Sequence, residues 1–186
     1  MGSVDPEKEA YGCLFCMAGT EKIVSQLISY KYGRDVQVTP ALYERHRTRQ
    51  GEKWRDTAVF MPGYVFFRCR EDIFLPYAFP RDRGYRLLKN EEGDWRLQDQ
   101  DREYARWLLS YDGLLPFSTA CEEQDRIRIL SGPMKDREGY VEKIDRRGRS
   151  ALVRLEFQGR VFRVWLGFEL IVKDMPGGVT SSEGNA

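Results

Sequence analysis

Cys13 and Cys16 stand in a Cys-x-x-Cys spacing, the arrangement that metal sites and thiol oxidoreductases use. Read as a strand, Tyr11 to Cys16 sends the two thiols to opposite faces, because their separation is odd, and no helix N-terminus follows directly to lower a thiol pKa. No second Cys-x-x-Cys or Cys-x-x-His completes a zinc set, and the single histidine, His46, lies in a polar basic stretch. The four cysteines are therefore expected to be buried structural thiols, which in a chain with no secretory leader suits a reducing cytoplasm. The acid pairs Glu91-Glu92 and Glu122-Glu123 sit in loop-like contexts and read as solvated surface. The sequence holds no Walker loop, no Gly-x-Gly-x-x-Gly and no Gly-x-Ser-x-Gly, and one histidine cannot assemble a convincing triad. The expectation is a binding protein rather than an enzyme, with no cofactor and no metal.

Binding chemistry is concentrated in the basic residues near the C-terminus. Residues 124–173 carry twelve Lys or Arg against seven Asp or Glu, a net of +5, in a chain whose total is +1, so the remainder carries −4. Lys135 and Arg137 fall in one loop, Lys143 follows, and Arg146, Arg147 and Arg149 fall in another loop. Two such loops could straddle a phosphate backbone. The alternative stays open at this level, that these charges form a solvated face keeping a small domain soluble. Arg45, Arg47, Arg49 and Lys53 make a second candidate nucleic-acid surface.

The elements that position these residues read as two units of an α+β chain. Ile127 and Ile129, then Val153, Leu155 and Phe157, alternate with polar residues, and Ser131-Gly132-Pro133, Arg147-Gly148-Arg149 and Gln158-Gly159-Arg160 mark turns between them. Five short strands in this region suit a small all-β, SH3-like barrel over 124–173. Upstream, Tyr11 to Cys16 reads as a strand, and Thr20 as N-cap and Glu21 as a favourable first-turn anion open a helix whose Ile23, Val24, Leu27 and Ile28 form one apolar face. Val36 to Leu42 is extended, and Tyr43 to Val59 reads as a hairpin arm turning at Gln50-Gly51-Glu52. Tyr64 to Cys69 is a strand apolar on both faces, Tyr64 and Phe66 on one, Val65, Phe67 and Cys69 on the other. Pattern alone favours covering both faces within the domain, with an apolar docking surface as the alternative. Asp99 to Tyr111 reads as a helix carrying Tyr104, Trp107, Leu108 and Tyr111. The expected boundaries are 9–111 for an N-terminal α/β sandwich, 112–123 for a linker, 124–173 for the barrel and 174–186 for a disordered tail. No run is long and apolar enough for a membrane span, so no membrane association is expected.

Three segments together carry a family resemblance. Leu14-Phe15 with Gly19-x-Glu21, the block Phe60-Met61-Pro62-Gly63-Tyr64-Val65-Phe66, and Ser131-Gly132-Pro133 followed by Arg137-Glu138-Gly139-Tyr140-Val141 occur in the order found in NusG-type transcription elongation factors. The resemblance covers about residues 10–173, and the pairing of a Pro-Gly-Tyr-Val-Phe block with a downstream KOW motif is more specific than either alone. The turn Gly132 to Gly139 and the run Glu142 to Arg147 are similar to LoaP-type specialised paralogues. The chain departs from the family pattern at Tyr11-Gly12, where Trp-Tyr is usual, and at Met61, where a second aromatic is usual.

The resemblance implies an NGN-type N-terminal domain that docks on the clamp of RNA polymerase and a KOW barrel, acting together as a monomeric antitermination factor that suppresses pausing and termination. By motif matching it implies polymerase contacts at Phe15, Phe60, Met61, Tyr64 and Phe66. For the barrel it implies binding of a nascent leader-RNA hairpin through Lys135, Arg137, Lys143, Arg146, Arg147 and Arg149, as in LoaP-type members. In housekeeping members the barrel instead binds ribosomal protein S10 or Rho, and Phe157 matches the aromatic position associated with those contacts. The hairpin arm would approach DNA of the transcription bubble or RNA near the polymerase. A rival of a different class is a ribosome-associated RNA-binding module, since KOW barrels also occur in ribosomal proteins.

Overall fold

The structure, a computed structural model, describes residues 9–71, 84–123 and 126–171; the tail expected over 174–186 lies outside them. The N-terminal half is built on a four-stranded sheet of β1 (Glu9–Cys16), β2 (Val36–Pro40), β5 (Tyr64–Arg70) and β6 (Tyr85–Leu87), in the order β2-β5-β1-β6. The central pair is antiparallel, with Cys13 opposite Phe66 and Phe15 opposite Tyr64. Helix α1 (Glu21–Tyr32) packs Val24 and Ile28 on one face of this sheet, against Leu14, Val65 and Phe67. Tyr104 of helix α2 (Asp99–Ser110) packs with Phe66 and Cys13 on the other. Strand alternation thus places Cys13 and Cys16 in different clusters on opposite faces, and all four cysteines are free and buried. Gly12 has its reason in the same packing. A Cβ there would lie 2.3 Å from the Phe67 ring across the pair.

Two details of α1 differ from the sequence expectation. Ile23 and Leu27 are exposed, because the sheet reaches only the narrow stripe of Val24 and Ile28, about 100° around the helix from them. Thr20 does not cap the helix; its hydroxyl donates to the Met17 carbonyl at 2.6 Å. Glu21 bonds in its place, turning back to accept from the Gly19 N–H at 2.9 Å.

The hairpin arm forms as the pattern indicates. β3 (Leu42–Arg49) pairs with β4 (Glu52–Val59) through a two-residue turn at Gln50 and Gly51, both with positive φ. That backbone matches the twist of the flanking strands, and glycine favours it. The segment expected as a linker is instead built into both halves. β7 (Leu114–Leu115) runs parallel to β3, and β8 (Ser118–Glu123) pairs with the last strand of the chain. Ser118 and Ala120 are buried at alternate positions, which gives β8 an inward face that a linker does not need.

The C-terminal half is a five-stranded sheet in the order β10-β11-β12-β8-β9, from β9 (Arg126–Ser131), β10 (Val141–Asp145), β11 (Ser150–Phe157) and β12 (Arg160–Leu170) with β8. The sequence expectation of five strands holds in number, but the fifth comes from 118–123. A 3₁₀ turn at Lys135–Tyr140 links β9 to β10. Ala120, Ile129, Ala151, Val153, Leu155, Val164, Leu166 and Phe168 face inward and are buried. Their cluster does not end at this sheet. It runs on through Phe157 into Tyr64, Phe66 and Tyr104, so the two halves share one continuous core.

Candidate docking face and nucleic-acid surface

The Pro-Gly-Tyr-Val-Phe loop is held by one carboxylate. Glu21 is 2% exposed and accepts from the Gly63 N–H at 2.7 Å as well as from Gly19. Burial alone would raise its pKa. The N–H donors of Gly63, Glu21 itself and Gly19 outweigh burial and hold the carboxyl below its usual range. The loop is tied back a second time, where the Cys16 N–H donates to the Gly63 carbonyl at 2.8 Å. Gly63 has φ +87°, and a Cβ there would lie 3.0 Å from the Cys16 carbonyl oxygen. The matched positions Gly19-x-Glu21 and Pro62-Gly63-Tyr64 are therefore one piece of structure. Glu21 and Gly63 together fix where Tyr64 emerges.

From that anchor the aromatic residues form a single face. Phe15 meets Tyr64 edge-on at 5.3 Å between ring centroids, and Phe66 meets Tyr104 at 5.6 Å. Tyr43 and Phe60 pack edge-on at 6.1 Å, and Met61, fully buried, accepts from the Tyr104 hydroxyl at 3.0 Å. Phe15 and Phe60 are half-buried, whereas Met61, Tyr64 and Phe66 are buried. What covers Tyr64 and Phe66 is the C-terminal sheet. Phe157 lies 4.9 Å from Phe66, 5.7 Å from Tyr64 and 5.6 Å from Tyr104, while Phe162 lies 5.8 Å from Tyr64. Phe157, expected as a contact for a protein partner, has no exposed surface in this arrangement. Tyr104 completes the face, and Phe162 completes its cover. Nothing in the spacing of either residue sets it apart from ordinary core, which is why sequence reading did not include them.

The rim of this seam is polar. The Gln158 N–H donates to the Asp101 carboxylate at 3.0 Å, joining the β11–β12 turn to the first turn of α2. Arg137 from the 3₁₀ turn lays its guanidinium over Trp107 at 4.7 Å, Tyr140 at 5.6 Å and Tyr104 at 6.0 Å. It is half-buried there, and its Nε is buried with no hydrogen-bond partner. The structure thus separates Arg137 from the other residues expected to bind RNA. Lys135, Lys143, Arg146, Arg147 and Arg149 are all exposed, the last three around the β10–β11 turn. Arg146 lies 3.5 Å from Glu122.

The arm divides its cations between two faces. Arg45, Arg47 and Arg49 share one with Trp54, and Asp56 binds Arg45 at 3.2 Å and Arg47 at 3.0 Å. The hydrogen bond from Arg45 holds the Asp56 carboxyl below its usual range. Lys53 lies on the opposite face with Arg55 and His46, and that face turns toward the C-terminal sheet. There His46 packs on Phe117 at 4.6 Å and Arg55 pairs with Glu169 of β12. Burial, with Lys53 and Arg55 nearby, keeps the His46 pKa below its ordinary value. Arg149 adds to the same effect, so the β10–β11 turn and the arm contribute to one basic neighbourhood.

Among the described residues no group of three or more His, Cys, Asp or Glu could hold a metal ion, and no helix is long and apolar enough to cross a membrane. No protein-family model matches the chain, and no curated protein matches it. Among solved structures the chain is similar to that of NusG from Thermotoga maritima, described as showing domain interaction, at 21% sequence identity over 87% of this chain and 94% of that one, with a TM-score of 0.48.

Proposed function

We propose that this protein is a transcription elongation and antitermination factor that docks on the clamp of RNA polymerase through the face of Phe15, Phe60, Met61, Tyr64 and Phe66. A hairpin in the nascent leader RNA recruits it. The observation that carries this reading is the aromatic face itself. It is built around the Glu21-anchored Gly63 and covered at Tyr64 and Phe66 by another part of the same chain. With buried aromatic residues at its centre and a polar rim at Asp101–Gln158 and Arg137, the cover has the layout of a protein–protein interface. Docking then has two steps. The C-terminal sheet leaves the face, and polymerase takes its place.

The recruiting step falls to the exposed cations. Lys135, Lys143, Arg146, Arg147 and Arg149 neutralise phosphates of the hairpin, and each phosphate contact steepens the salt dependence of binding. An A-form major groove is too narrow for side chains, so sequence selection has to come from shape and unstacked bases. Arg45, Arg47 and Arg49 of the arm face the DNA of the transcription bubble or RNA close to the polymerase.

The test pairs binding with transcription. The full-length protein is titrated with a leader hairpin from its own genomic neighbourhood and with a scrambled RNA across a salt series, and terminator read-through is measured on a template with and without that leader. The reading expects selective binding that survives physiological salt, and read-through that depends on the leader. Weak, unselective binding lost with salt, together with binding of Rho or ribosomal protein S10, would assign the chain to general elongation. Co-purification with ribosomes in place of polymerase would overturn both.

A further inference from the structure

The outward side of the C-terminal sheet has a composition that neither the core nor the β10–β11 turn requires. Along β11 and β12 the inward residues Ala151, Val153, Leu155, Val164 and Leu166 are buried, so Leu152, Arg154, Arg163 and Trp165 point away from the core. Trp165 is 40% exposed. It stands directly across from Leu152, which stands across from Lys143 of β10, so one row crosses three strands. In a neighbouring row Arg154 lies opposite Arg163. Like charges in that position destabilise an antiparallel pair. Each guanidinium is met by an acid, Arg154 by Glu156 of its own strand at 3.0 Å and Arg163 by Glu142 of β10, across β11, at 2.9 Å. Exposed pairs of this kind contribute little to stability, so folding does not account for the two facing arginines.

We propose that this face is a stacking platform for unpaired RNA bases, with Trp165 backed by Leu152 carrying the base and Lys143, Arg154 and Arg163 taking the flanking phosphates. Neighbouring strands are about 4.8 Å apart, so cations lie within one or two strand spacings of the indole. That interval suits the alternation of base and phosphate along a single strand. A protein partner fits less well, because an apolar contact at Trp165 would bury three or more cations beside it. A duplex fits less well too, since its base faces are already stacked. The inference rests on the RNA-binding reading above and adds to it the place where unpaired bases are held, while the β10–β11 turn holds backbone.

The experiment uses the full-length protein and two short RNAs of equal length, one single-stranded and one a blunt duplex, each carrying one 2-aminopurine. Trp165→Ala is expected to lower single-strand affinity about five- to a hundredfold. It should abolish the change in 2-aminopurine fluorescence and leave duplex affinity and the salt slope unchanged, whereas Trp165→Phe keeps most of the binding. Replacing Arg146, Arg147 and Arg149 with Glu lowers affinity for both RNAs. If Trp165→Ala binds the single strand as wild type does while the triple variant does not, the platform is refuted and the RNA reading stands. If wild type binds neither RNA, both fall. A Trp165→Ala protein that binds RNA normally but loses polymerase would make this face a protein contact and refute the platform. Photocrosslinking of a 4-thiouridine strand to the wild-type protein checks the site without any substitution: adducts on Trp165 support it, and adducts confined to other strands overturn it.

Discussion

Glu21 is the residue on which the proposed docking face depends most directly, because one buried carboxylate accepts from both Gly19 and Gly63. Glu21→Ala leaves those N–H groups without an acceptor and should cost about 1–3 kcal/mol, read as a shift in the urea midpoint. Its pKa is lowered in the folded state, so its contribution is complete above the unfolded carboxylate value and is lost as pH falls through the lower folded value. Wild type and Glu21→Ala should therefore differ at neutral pH and converge in acid. The cysteines make a second prediction at this scale. Burial pushes the Cys13 thiol well above its ordinary pKa and raises that of Cys16, and all four cysteines are buried. A thiol reagent near neutral pH should label none of them in the native protein and all four after unfolding; rapid native labelling would contradict this packing. The odd spacing of Cys13 and Cys16 already implied opposite faces. By contrast, Glu21 reads in sequence only as a favourable first-turn anion, because its long-range acceptance from Gly63 depends on the loop returning across the sheet.

At the scale of elements, periodicity carried most of the reading. The arm, its turn at Gln50 and Gly51, the two-faced strand β5 and the turns of the C-terminal sheet all follow local rules that the sequence displays. Strands β6, β7 and β8 were not legible, since Tyr85–Leu87 and Leu114–Leu115 are too short for a period, and β8 gains its place from pairing on both sides, parallel with β12 and antiparallel with β9. The same limit applied to the 3₁₀ turn at Lys135–Tyr140. A loop arginine looks like a phosphate ligand in sequence, yet Arg137 reaches back over Trp107 and Tyr104 of α2. Arg137→Ala should remove about 0.5–2 kcal/mol of cation–π stabilisation from the seam. Amide exchange should then quicken in α2 and β5 while β8 and β9 stay protected, and equal protection throughout would mean that Arg137 does not hold the halves together.

For the whole molecule, the unequal charge of the two halves was visible from composition, but the closed arrangement was not. Each of Tyr64, Phe66 and Phe157 has the alternation of a buried strand residue, and no local pattern tells burial within one half from burial between two. The closure also bears on RNA. Replacing Arg146, Arg147 and Arg149 with Glu should abolish hairpin binding and leave polymerase docking intact, because these residues are exposed around the β10–β11 turn while Tyr64 and Phe66 are buried in the seam. Unchanged hairpin affinity would reject that assignment. The central claim is that the face covered by Phe157 and Phe162 is the one that meets polymerase. It is tested most directly by a disulfide between positions 101 and 158, where Asp101 and Gln158 already bond across the seam. In the Asp101→Cys, Gln158→Cys protein, oxidation should abolish binding to core RNA polymerase and reduction should restore it. Equal binding in the oxidised and reduced states would contradict the account.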